Sequence, residues 1–142
     1  MKKGLCVVLS VCIFLLAVTA MSSCAAGEKR RDDGSLYLEG TYIPEAGVGD
    51  RVFVFTKDLL VMFQVIYEDT VEFHYEYEIL EEEDRMHLVL TYKGLIYDGN
   101  DPDISWYLTG MRNEYSKNPK QVSDFEMGDG YIVVSDQKLI KQ

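Results

Sequence analysis

The chain has 142 residues, 14 of them basic and 24 acidic, and its three cysteines, Cys6, Cys12 and Cys24, all fall within the first 24 positions. Beyond Cys24 no thiol remains for a disulfide or a thiolate metal site, so the folded part must rest on its core alone. A balance this acidic also excludes nucleic-acid binding, which depends on neutralising phosphates.

From the start, Lys2 and Lys3 precede an apolar run, Leu5 to Ala20, broken only by Ser10 and Thr19. Small residues then lead up to Cys24, the three-part layout of a secretory leader. Met21-Ser22-Ser23-Cys24 resembles the lipobox of bacterial lipoproteins, with methionine where leucine is usual. The resemblance implies a signal peptide over 1–23 and a lipidated Cys24 as the first mature residue. It also implies attachment to the extracytoplasmic face of the cell membrane. The alternative is an uncleaved anchor helix, since the run is nearly long enough to span a bilayer. Taking residues 1–23 from 142 leaves 119, enough for one small domain. Two of the 14 basic residues leave with the leader, so 12 face 24 acids, a formal charge of −12.

Residues 24–35 read as a flexible tether. Ala25 to Ser35 has no periodicity and almost no apolar bulk, and such a composition does not order itself. Extended, it would reach roughly 36–40 Å. Lys29-Arg30-Arg31 could meet anionic headgroups, but Asp32 and Asp33 follow at once, which favours a plain solubilising linker.

From Leu36 the dominant period is two. Leu36–Ile43 predicts a strand ending at Pro44, and Glu45–Asp50, with two glycines, predicts a loop. Arg51–Thr56 and Leu59–Tyr67 are separated only by Lys57-Asp58, which is hairpin spacing. Phe53, Phe55, Leu60 and Met62 fall on one face of this pair. Val52, Val54, Val61 and Phe63 fall on the other, so something must cover the second face. In Glu72–Ile79 the odd positions are apolar and the even ones polar, and Arg85–Lys93 alternates likewise. A turn centred on Glu82-Glu83 would place Ile79 opposite Met86, Tyr77 opposite Leu88, Glu78 opposite His87 and Glu72 opposite Lys93.

Asp101-Pro102 predicts a helix start, and Ile104, Tyr107, Leu108, Met111 and Tyr115 form one apolar stripe before Asn118-Pro119 ends it. This helix, near 102–116, should cover the outer valine face or else plug an open end. Gln121–Met127 and Tyr131–Ser135 flank Gly128-Asp129-Gly130, a three-residue hairpin loop, and Leu139-Ile140 suits a short last strand. Together these predict a mainly β domain over 36–142, an antiparallel meander of about 7–8 strands closing into a small barrel. Gly40-Thr41-Tyr42 resembles the first-strand signature of lipocalin-like proteins, and Phe125 to Ile132 is similar to the last hairpin of small lipocalin-like bacterial lipoproteins. The resemblance implies a lipocalin-like barrel and an envelope location.

No nucleophile motif or phosphate loop is present, and no cofactor is implied. His74 and His87 share an outer face, but the glutamates around them favour a protonated ring, so no metal ligand set is assigned. Asp98 to Asp103 reads as a turn and helix cap, with a weak calcium site as the alternative. The glycine and glutamate of an EF-hand are missing from it. What remains is aromatic. Tyr42, Phe73, Tyr75, Tyr77 and Tyr92 point to the predicted interior, and Trp106 is the one tryptophan. These six are the candidate ligand-contacting residues. In the alternative the tyrosines simply fill a small barrel. The expectation is a monomeric, non-catalytic binding or interaction module, taking a small apolar ligand in its lumen or a protein partner on its surface. An envelope enzyme working through carboxylates is the remaining alternative.

Overall fold

A computed structural model describes residues 28–46 and 51–142. The expected signal peptide, Cys24 and most of the loop before Arg51 lie outside the described residues. The described chain opens with a two-stranded ribbon, β1 (Lys29–Arg30) and β2 (Leu36–Tyr37). Eight strands follow: β3 (Gly40–Pro44), β4 (Arg51–Phe55), β5 (Leu59–Ile66), β6 (Asp69–Glu81), β7 (Met86–Ile96), β8 (Lys120–Gly128), β9 (Tyr131–Val134) and β10 (Gln137–Lys141). Each pairs antiparallel with the next, and β10 returns to β3 through Ile140 opposite Ile43. The result is a closed barrel, which leaves no unpaired edge. One strand expected over Leu36–Ile43 is two, because Gly40 breaks it at φ +121°, a conformation that side chains resist.

The β4–β5 hairpin turns at Lys57-Asp58, with the Thr56 amide donating to the Leu59 carbonyl at 2.9 Å. Phe53 pairs with Met62 and Phe55 with Leu60, and this face is the inner one. In the β6–β7 hairpin the expected faces hold but the register moves by two residues. Ile79 sits opposite Leu88 and Tyr77 opposite Leu90. The turn is the four residues Glu82–Arg85, so the ladder gains a step at the tip. A shift of two keeps every side chain on its face, whereas the expected charge pairs are lost. Glu78 faces Val89; beyond a β-bulge between His74 and Tyr75, which adds a third step, Glu72 faces Ile96, while Lys93 pairs with Glu76 at 2.9 Å. The β8–β9 loop is likewise shorter than expected: Gly128 pairs with Tyr131, leaving Asp129-Gly130 as the turn.

The helix, α1 (Pro102–Lys117), packs at one end of the barrel, where it forms one wall of the mouth, and does not cover the valines. Asp101 accepts from the amides of Asp103 and Ile104 at 2.8 and 3.3 Å, the cap that its sequence predicts. Ile104 and Leu108 are fully buried, and Tyr115 packs edge-on to Phe73 and obliquely on Tyr92. Val52, Val54, Val61 and Phe63 stay half-buried on the outer wall.

The opposite end is closed by the N-terminal segment. Of the expected tether, residues 28–35 fold back on the barrel. Arg30 makes a two-pronged ion pair with Glu81 at 2.8 and 3.0 Å. Arg31 donates to the Lys57 carbonyl and to Asp58, and lies 5.4 Å from the centre of the Tyr77 ring. Leu36 and Leu38 then enter the core. The segment lacks apolar bulk of its own, as its composition says; barrel groups supply its partners. Lys29, Arg30 and Arg31, for which headgroup contact is the less favoured reading, pair with Glu39, Glu81 and Asp58.

Candidate functional site

Among the described residues a concavity lies at each end of the barrel. At the clasp end, between the N-terminal segment and the β8–β9 turn, lies a groove of about 710 Å³. Glu28, Glu39, Asp129, Lys29 and Lys141 line it with charge of both signs, and Lys29 and Glu39 already satisfy each other. Such a surface has no single electrostatic preference.

At the helix end the lumen itself is open, with a cavity of about 450 Å³. Its floor is apolar, made by Phe55, Leu60, Leu88 and Leu139. The walls carry Phe53 and Met62 from the β4–β5 hairpin, and Met111 and Tyr115 descend from α1. The rim is polar, with Arg51, Gln64, Gln121, Ser123 and Gln137. The alternation of each strand explains the grading. An inward position deep in the barrel meets other side chains, whereas an inward position at the end of a strand meets water.

The six residues expected to contact ligand separate. Tyr75 lines the cavity. Tyr92 stands behind it, 6.0 Å from the Tyr75 ring and 5.1 Å from that of Tyr115. Phe73 is fully buried beneath the helix. Tyr77 belongs to the clasp: its hydroxyl accepts from the Leu38 amide at 2.8 Å and donates to the Thr56 carbonyl at 2.8 Å. Tyr42 packs edge-on to Phe55 and borders the other groove. Trp106 is 81 % exposed on the helix face turned from the barrel. Arg51, Gln64, Met111 and Tyr115 complete the site without having been singled out. The signal for Tyr115 was present in the helix stripe. For the rim residues there was none, since polar residues at strand ends look like ordinary flanks.

Comparison with protein-family models, with curated proteins and with solved structures returns no match for this chain. What the site can do therefore rests on its own chemistry. Burial pushes the Tyr75 hydroxyl up to about 12, with Tyr115 and Tyr92 adding to the shift and Arg51 opposing it. Tyr92 and Tyr115 are raised for the same first reason, burial. All three remain neutral hydrogen-bond donors at physiological pH, suited to orienting a ligand and poorly suited to accepting a proton from one.

The other candidate chemistry is used structurally. Asp101 caps α1, and Tyr97 bridges it to the β5–β6 turn by donating to Asp69 at 2.6 Å and accepting from the Asp101 amide at 3.1 Å. His74 contacts Glu72 at 3.1 Å, and His87 lies between Asp124 and Glu82 at 3.3 and 3.6 Å. Among the described residues no group of three or more His, Cys, Asp or Glu side chains is arranged to hold a metal ion.

Proposed function

We propose that this protein is a lipid-anchored, non-catalytic binding module of the cell envelope that takes a small ligand in its barrel lumen. The observation that carries the reading is the cavity at the helix end, apolar below and polar at its rim. Its volume of about 450 Å³ lies within the roughly 300–1,000 Å³ range of small-molecule sites. The lipocalin-like signature at Gly40-Thr41-Tyr42, now at the start of β3, agrees with a barrel that carries cargo. The lipobox-like Met21–Cys24 supports the anchor. A surface-interaction reading would rest on an exposed aromatic cluster around Trp106 and Tyr107; both are exposed, but Tyr107 also lines the mouth of the lumen, which leaves Trp106 as the aromatic with no part in the cavity.

Native mass spectrometry of the full chain taken from its own membrane tests the lumen. A small molecule should co-purify at stoichiometric level. It should be lost on Leu88→Trp, which fills the floor, and on Ser123→Trp, which fills from the half-exposed rim and spares the core. A ligand retained by both variants would place binding elsewhere. For the anchor, fatty-acid labelling should mark the wild type and not Cys24→Ala; equal label on both would end that part of the reading.

A further inference from the structure

The geometry points to an amphiphilic anion as the lumen's ligand, a single carboxylate or phosphate head on an apolar body, with Arg51 as the residue that selects the charge. This inference rests on the lumen-binding reading and narrows it.

The charge pattern is the first argument. The chain has 24 acidic residues among 142, and they crowd the outer wall, the turns and the groove at the clasp end. None of the described residues that line the lumen is acidic, and one is cationic, Arg51. A neutral ligand would not require that separation. Carboxylates at the rim would repel an anionic head, and their absence from this one concavity removes the repulsion where the rest of the molecule would supply it.

Position is the second argument. Arg51 opens β4 opposite Gln64, so its guanidinium stands at the mouth while the next inward residues, Phe53 and Phe55, lead down to the floor. An amphiphile entering tail first would bring its head to the level of Arg51. No described residue forms an ion pair with Arg51, in contrast to Arg30 and Arg31, which are both engaged. Tyr75 and Tyr115 line the cavity with it; burial is the larger influence on both hydroxyls and Glu114 also acts on Tyr115, while the charge of Arg51 favours the opposite direction at each. They offer two neutral donors to the same head. A guanidinium with hydroxyl donors in the same cavity matches a carboxylate or a phosphate, which accept several hydrogen bonds in one plane or around one centre. The amides of Gln64 and Gln137 line the rim beside them and can donate as well.

The test compares three twelve-carbon probes that differ only in the head: dodecanoate, dodecanol and dodecylammonium. Binding is measured by displacement of a neutral lumen dye, on the full chain held in a non-ionic amphipol at neutral pH. Dodecanoate should bind about tenfold more tightly than dodecanol, the size of one charge-assisted contact, with dodecylammonium weakest. R51Q should bring the acid and the alcohol within about twofold of each other, and R51K should restore part of the preference. Thermal melts of both variants confirm that they are folded, as expected for a residue at an exposed strand end. If the alcohol binds as well as the acid in the wild type, the charge inference fails while the lumen reading stands. A preference that survives R51Q also overturns it. If none of the probes binds and the dye is not taken up, the lumen reading itself fails.

Discussion

Tyr77→Asp is expected to leave the domain unfolded at ordinary temperature. Tyr77 is 6 % exposed, its ring meets Phe55 edge-on at 5.2 Å, and its hydroxyl joins β6 to the N-terminal segment and to the β4–β5 turn. Losing an aromatic of this burial costs about 3–5 kcal/mol. Burying a carboxylate without a partner adds several more, and the sum is comparable to the roughly 5–15 kcal/mol that holds a domain together. Tyr77→Phe isolates the hydroxyl. It leaves the Leu38 amide and the Thr56 carbonyl short of a partner, for a loss of about 1–3 kcal/mol. One residue away, Glu76→Lys alters a half-exposed pair with Lys93 on the outer wall, where the effect should stay under about 1 kcal/mol. Denaturant melts of the three variants decide. A loss for Glu76→Lys as large as that for Tyr77→Asp would mean that β6 presents the opposite face to the core.

The second large effect lies in α1. Leu108→Ala removes a side chain with no solvent exposure from the contact between helix and barrel, at a cost of about 2–5 kcal/mol. Trp106→Ala, two positions earlier and facing water, should change stability by no more than about 0.5 kcal/mol. The same comparison reads on the cavity, because Met111 and Tyr115 on this helix form part of its wall. Amide exchange along 104–115 should accelerate in Leu108→Ala and not in Trp106→Ala. Equal exchange in the two would show that the stripe does not dock.

How much of this was legible depends on the kind of information each element carried. The faces of β6 and β7 were plain, since eight alternating positions leave little freedom. Their register was not, because a shift of two preserves the faces, and the pairs Glu78–His87 and Glu72–Lys93 are worth only about 0.2–1 kcal/mol each. Chain closure and the four-residue turn at Glu82–Arg85 outweigh them. Asp101-Pro102 announced the helix through local chemistry, but a stripe shows which face is buried and not what buries it. Two turns carried no glycine to mark them. Tyr67-Glu68 and Ser135-Asp136 each place both residues at positive φ, the twist that two-residue hairpins favour. In the site, the inward tyrosines were legible as a set. Their division among clasp, core and cavity was not, because it depends on where α1 and residues 28–38 sit. Arg31 shows the limit most clearly: in sequence it is one charge in a mixed run, and in the fold it is wedged beside Tyr77.

The clasp also sets how the molecule would stand on a membrane. Arg30 and Arg31 bind the chain to the barrel immediately after Glu28, so the leash from a lipidated Cys24 is four peptide steps and not eleven. Four steps span at most about 14 Å, so under the proposed lipidation of Cys24 the clasp end would sit close to the headgroups. The lumen opens at the other end. Moored so closely by its closed base, the barrel would carry its mouth on the side away from the bilayer, like a cup on a short stem. Its cargo would then arrive from, and leave toward, the aqueous exterior, with the bilayer serving as the floor it stands on and not as the reservoir it draws from.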